Sequence, residues 1–151
     1  HPLPRTMNFD SYDADLAAAI VQMGGAHGGG LPEFLGLRTV DVGPGSMTAE
    51  VDVRPDLLNP FGSLHGGVLS ALVDHVLGAV LYPLIPRGTW AATTEFKLNL
   101  IAPVREGRLV ARSEIIAMSR RTAVVRIDVH NGDRLVGAAQ GTVTITQPPS
   151  T

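Results

Sequence analysis

The chain has 151 residues, 44% of them hydrophobic and 17% charged, with a formal net charge of −2. This is enough for one ordered domain that buries roughly 70% of its unfolded surface, and the charge offers no electrostatic case for nucleic acid or an anionic membrane as partner. The absence of cysteine excludes disulfides, thiolate metal sites and cysteine nucleophiles, and fits a reducing, cytoplasmic setting.

The opening HPLPRTMNFD has no signal-peptide pattern, and no apolar run reaches the roughly 18 residues that a bilayer span needs, so no membrane partner is expected. Met7 is a candidate native start, with residues 1–6 ahead of it. Residues 1–12 read as an N-terminal extension, 13–147 as a single domain and 148–151 as a tail.

Residues 13–23 (DADLAAAIVQM) predict a short amphipathic helix, capped by Ser11 or Asp13 and favoured by its alanines. Residues 24–30 end it in a glycine-rich loop, and residues 31–35 add one helical turn with proline near its start. Residues 37–42 and 47–53 read as strands joined through Gly43-Pro44-Gly45, a hairpin signal.

Residues 59–80 (NPFGSLHGGVLSALVDHVLGAV) begin as a turn and become an apolar helix over residues 66–81, stopped by Pro83 and Pro86. A helix that is apolar nearly all round is expected inside a protein. Its one acid is Asp74.

From Trp90 the pattern changes to period two, with Thr94, Phe96, Leu98 and Leu100 on one face and Glu95, Lys97 and Asn99 on the other. Strands over residues 108–118, 123–130 and 134–146 follow, turned at Ser119-Arg120-Arg121 and at Asn131-Gly132. The expectation is an α+β fold: a curved antiparallel sheet of five to six strands wrapped around the central helix, with an N-terminal helix beside it.

On the helical wheel Ser70, Ala71, Asp74, Gly78 and Leu81 share a sector of about 100°. Small neighbours leave space beside the carboxylate for a second helix or a ligand, and a buried acid is either paired across an interface or kept for chemistry. Gly66 and Gly67 fall in the first helical turn, where backbone N–H groups lack partners and lie at the positive end of the dipole. Without side chains they admit a carbonyl oxygen, as an oxyanion hole requires, or they simply let the loop turn into the helix. Gly66 and Asp74 lie about 12 Å apart along a helix, whereas one reacting carbonyl needs donor and base both within about 3 Å. Two antiparallel copies meet that condition where one cannot, so a site between subunits is expected.

The pattern Asn59-x-x-Gly62-x-x-His65-Gly66-Gly67, with Asp74 nine residues after the histidine, resembles the hotdog-fold acyl-CoA thioesterases, most of all the phenylacetic-acid-pathway (PaaI-like) type. The resemblance runs from about residue 35 to residue 146, through the strand ATTEFKLN and the Arg120-Arg121-Thr122-Ala123 hairpin. It implies hydrolysis of an acyl-CoA thioester to the free acid and coenzyme A, without cofactor or metal, in a homodimer or dimer-of-dimers tetramer. Asp74 matches the carboxylate that activates water or attacks directly, the Gly66 N–H the donor that polarises the carbonyl, and Asn59 the side chain that orients water or substrate from the facing subunit. His65 and Gly67 support the substrate loop, and Thr93, with Thr94 as the weaker match, falls near a hydroxyl that holds the water. A leaving thiol with a pKa near 8.5 departs without a strong general acid, so this small set of groups suffices.

Arg120 and Arg121 are candidates for the coenzyme A phosphates, with Arg87 and Arg105 weaker ones; the alternative is a solvated turn. Leu57, Leu58, Phe61, Leu81 and Tyr82 are candidates for the acyl pocket. The histidines show no paired metal spacing, and Asp74 and His75, adjacent on a helix, are expected to point different ways. His27-Gly28-Gly29 repeats the tripeptide but has Gly36 nine residues on, and Ser63 and Ser70 lack the context of a nucleophile elbow. Competing readings are a non-catalytic acyl-CoA-binding module and a hotdog hydratase or dehydratase.

Overall fold

The computed structural model describes residues 7–25 and 27–149; residues 1–6 and the tail end 150–151 lie outside the described residues. In chain order the elements are α1 (Ala14–Met23), α2 (Gly30–Phe34), β1 (Arg38–Gly43), β2 (Ser46–Asp52), α3 (Gly66–Ala79), β3 (Trp90–Leu100), β4 (Arg108–Met118), β5 (Thr122–Asn131) and β6 (Arg134–Thr146). Short 3-10 turns at Pro55–Leu57 and Tyr82–Leu84 flank α3.

Local chemistry accounts for the joints. Of the two caps expected for α1, Asp13 is the one used: its carboxylate accepts the Leu16 N–H at 3.0 Å, while the Ser11 hydroxyl donates to the Leu84 carbonyl. Gly43 pairs with Ser46, so the first hairpin turns on Pro44-Gly45, with Gly45 at φ +76° as a type II turn requires. The last hairpin differs from expectation by one residue. Asn131 pairs with Arg134 inside the ladder, and the two-residue loop is Gly132-Asp133. The Asn131 amide instead donates to the Glu106 and Arg108 carbonyls, tying that loop to the one before β4.

The six strands form one antiparallel sheet in the order β1-β2-β4-β5-β6-β3. Strand β3 is an edge, paired on one side only, to β6. The concave face carries Val51, Leu109, Ile127 and Val143, and against it α3 lays Leu69, Leu72, Val73, Val76 and Leu77, all buried. Burial on this scale, at about 1.5–3 kcal/mol for each large side chain, is what holds helix to sheet. The approach is close. A Cβ on Gly141 of β6 would lie 2.5 Å from the Glu95 carbonyl oxygen and 3.0 Å from Leu77.

Three expectations need correction. First, α3 is not enclosed all round: Gly67 and Asp74 are exposed and Ser70, Ala71 and His75 half-buried, so one stripe of the helix stays open. Leu81, assigned to that stripe on the wheel, lies beyond the helix end at 0% exposure. Second, a bulge between Thr93 and Glu95 breaks the alternation of β3, so Ala91 and Thr93 share the inner side with Phe96 and Leu98, and Leu100 is 61% exposed. Third, Gly66–Leu84 is long and apolar enough, by length and composition, to cross a membrane; 61% of its 18-residue apolar window is nevertheless buried within the domain, as in a core helix. Residues 7–12, read as an extension, pack onto the domain through Met7, Phe9 and Tyr12.

Candidate active site

The site grows from the loop that feeds α3. Asn59 Oδ1 accepts the N–H groups of Phe61 (2.9 Å) and Ser63 (3.2 Å), folding residues 59–63 into a tight turn closed by a Gly62 N–H bond to the Asn59 carbonyl. Because both partners are donors, the amide oxygen is committed and Nδ2 is left with no acceptor among the described residues. His65 is the N-cap of α3, and its Nδ1 accepts the Gly67 N–H at 2.8 Å. The Val68 N–H bonds back to the His65 carbonyl. The Gly66 N–H, one residue ahead of these two, has no acceptor among the described residues. Gly66 and Asn59 line one cavity of about 360 Å³ with Leu64, Leu100 and Ile101. A Cβ on Gly66 would stand 2.9 Å from Leu100, so glycine keeps this approach clear.

Asp74 opens into a different place. It lines a cleft of about 520 Å³ between α3 and β3, together with His75, Gly78, Ala79, Tyr82, Ala91, Thr93 and Phe96. The Asp74 carboxylate has no hydrogen-bond partner among the described residues. Thr93 faces this cleft because of the bulge, whereas Thr94 bonds its hydroxyl to that of Thr144 at 2.6 Å and does not line it. The Tyr82 hydroxyl accepts the Ala91 N–H at 3.3 Å and fixes one wall. Ser70 is spent locally, donating to the Gly66 carbonyl at 3.1 Å.

Helical spacing points His75 away from Asp74, yet it lines the same cleft. Burial pushes its imidazole below the usual histidine range, against the opposing pull of the Asp74 carboxylate. The signal for it was available: Gly67, Ala71 and His75 follow one another at helical spacing of four, the stripe along which α3 stays open.

Other candidates are placed elsewhere. His65 and Gly67 border a cavity of about 270 Å³ beneath α2 rather than that of Gly66. Arg120 lies at a cleft with Met7, Phe9 and Leu84, and neither it nor Arg121 lines the Asp74 cleft. Both are exposed and have no carboxylate partner among the described residues, whereas Arg87 is engaged with Asp13 at 2.8 Å. Of the pocket candidates, Leu57, Leu58 and Tyr82 line cavities; Leu81 is wholly buried and Phe61, at 89% exposure, stands out from its loop. Among the described residues no group of three or more histidines and carboxylates gathers as a metal site would require.

One chain thus holds an unpaired donor at Gly66 and an unpaired carboxylate at Asp74, on one helix, in separate cavities. Residues 61–138 match the model of the family described as the thioesterase superfamily. The chain is 29% identical over 100 residues to the 1,4-dihydroxy-2-naphthoyl-CoA hydrolase of Listeria monocytogenes, covering 66% of this chain and 81% of that protein. It is 25% identical over 93 residues to acyl-coenzyme A thioesterase 13 of Pongo abelii, covering 61% and 66%. Its fold superposes on a mutant of the phenylacetic acid degradation protein PaaI of Thermus thermophilus with a TM-score of 0.68 and 32% identity, covering 74% of this chain and 95% of that one.

Proposed function

The chain belongs to the thioesterase superfamily, a family of thioester hydrolases with the hotdog fold, and on that premise we propose that it hydrolyses an acyl-CoA thioester at a site completed by two copies of itself. The observation that carries this reading is the separation of Gly66 from Asp74 along α3, about 12 Å for eight residues. A thioester carbonyl seated against the Gly66 N–H of one copy meets the Asp74 carboxylate of the other if the two α3 helices run antiparallel. The one-sided edge of β3, free on its other side, favours such a pairing.

In this reading Asp74 takes a proton from a water held by Thr93, and the water oxygen attacks the carbonyl carbon. Negative charge collects on the carbonyl oxygen, where the Gly66 N–H and the helix dipole stabilise it. The intermediate collapses with cleavage of the carbon–sulfur bond, and the sulfur leaves as thiolate and takes the proton from Asp74. The products are the acid and free coenzyme A. Asn59 Nδ2 orients water or substrate, and Arg120 and Arg121 are available to the phosphates. Direct attack by Asp74 through an anhydride reaches the same products.

Thiol release from a panel of acyl-CoAs tests the reading. Asp74→Asn should lower the rate by about 10²- to 10⁴-fold, the range for losing a general base. Unchanged release would remove Asp74 from the mechanism, and tight binding without release by the wild-type chain would favour a binding module.

A further inference from the structure

Asp74 stands where two parts of one groove meet. Towards the C-terminal end of α3 lies the cleft against β3, whose walls carry Thr93, His75 and the Tyr82 hydroxyl. Towards the N-terminal end the groove runs beneath α2. A cavity of about 180 Å³ bounded by Leu31, Pro32, Leu35 and Leu37 continues past Ala71 into the one of about 270 Å³ against Leu57 and Leu58. The two share Leu31, Leu35 and Ala71 as walls, so they adjoin along α3 and are taken together as one trough. Its polar side chains stand only at its ends, Asp74 and His75 at one and His65 and Asp56 at the other.

We propose that this trough between α2 and α3 receives the acyl chain, and that its length selects a linear saturated chain of about eight carbons, since Asp74 to Gly67 spans about 10 Å and each carbon–carbon bond of about 1.5 Å advances a zigzag by somewhat less. The inference rests on the thioester-hydrolase reading and adds to it the direction and size of the acyl group. An apolar passage that ends at a carboxylate suits a chain whose carbonyl stops at Asp74. The polar cleft on the other side of Asp74 takes the thiol arm, whose amides need partners. Leu31 at 55% and Phe34 at 60% exposure rim the trough, and a chain lying in it covers apolar surface now facing water.

The test is kcat/KM of the full chain across acetyl- to palmitoyl-CoA. It should rise about two- to fourfold per added methylene up to about eight carbons and then level off, as burial of each methylene predicts. Ala71→Leu, which adds bulk midway along the trough, should move that break to shorter chains. Leu31→Ala, at an exposed position that folding tolerates, should lower the octanoyl-to-butyryl ratio severalfold. A profile without a break, or one that neither variant moves, overturns the proposal. Absence of cleavage with every acyl-CoA would instead sink the hydrolase reading, and calorimetric binding of octanoyl-CoA against acetyl-CoA then decides the trough alone. A preference for octanoyl-CoA that Ala71→Leu removes supports it; equal binding overturns it.

Discussion

His65 Nδ1 accepts the Gly67 N–H at 2.8 Å, and in doing so leaves the Gly66 N–H as the free donor at the start of α3. A helix start offers several unpaired N–H groups, and a carbonyl could otherwise seat on more than one of them. The imidazole occupies one and the His65 carbonyl, accepting from Val68, another. The cap thereby chooses which donor the substrate meets.

Replacing His65 tests that choice. His65→Ala should destabilise the fold by about 0.5–2 kcal/mol, the cost of losing an N-cap, and should lower thioester cleavage with it. His65→Asn restores a side-chain acceptor and should recover most of both, read by urea midpoint and by thiol release. Recovered stability without recovered activity would mean that the imidazole does more than cap.

Mixing two inactive variants tests the shared site. Asn59→Asp retains the oxygen that folds residues 59–63 but loses the Nδ2 donor, so it should fold and fail to cleave. Combined one to one with Asp74→Asn under conditions of subunit exchange, it should restore about a quarter of wild-type activity, because half the dimers are mixed and each carries one intact site. With exchange verified by mass spectrometry, no recovery would place the whole site within one chain.

The core holds one buried side-chain oxygen without a partner among the described residues, Ser113 Oγ on β4, at 0% exposure between Met47 and Ile127. Ser113→Ala removes an unsatisfied hydroxyl and leaves little void. It should raise stability by about 1 kcal/mol, seen as a higher urea midpoint at unchanged slope. A lower midpoint would mean that the hydroxyl is satisfied in solution.

Acid sensitivity should begin at two carboxylates. The Leu16 N–H, followed by the Arg87 guanidinium, holds Asp13 below the usual carboxylate range, and hydrogen bonds from Arg38 and then Arg108 do the same for Asp52. With folded values depressed, their contribution is fully present above the unfolded value near 3.9 and is lost as pH falls through the folded one. A gap in Tm between wild type and Asp52→Asn should therefore be present at pH 7 and close below about pH 3.9. A gap that persists unchanged at pH 2 would show that Asp52 acts through its shape and not its charge.

The sequence by itself determined the strand periods, the central helix, and the spacing that sets Gly66 too far from Asp74 to share a carbonyl, because periodicity and helical rise are local properties of the chain. The family resemblance was likewise carried by residues close together in sequence, between Asn59 and Asp74. Tertiary structure decided which stripe of α3 stays open, since that depends on where a sheet built from distant strands stops covering it. It also decided that Thr93 and not Thr94 faces the Asp74 cleft: one bulged residue exchanges the faces of a strand, and alternating letters carry no mark of it. The same holds for His75, set beside Asp74 by the cleft against β3, and for α2, whose five residues form the wall of a trough only because the chain folds back across α3.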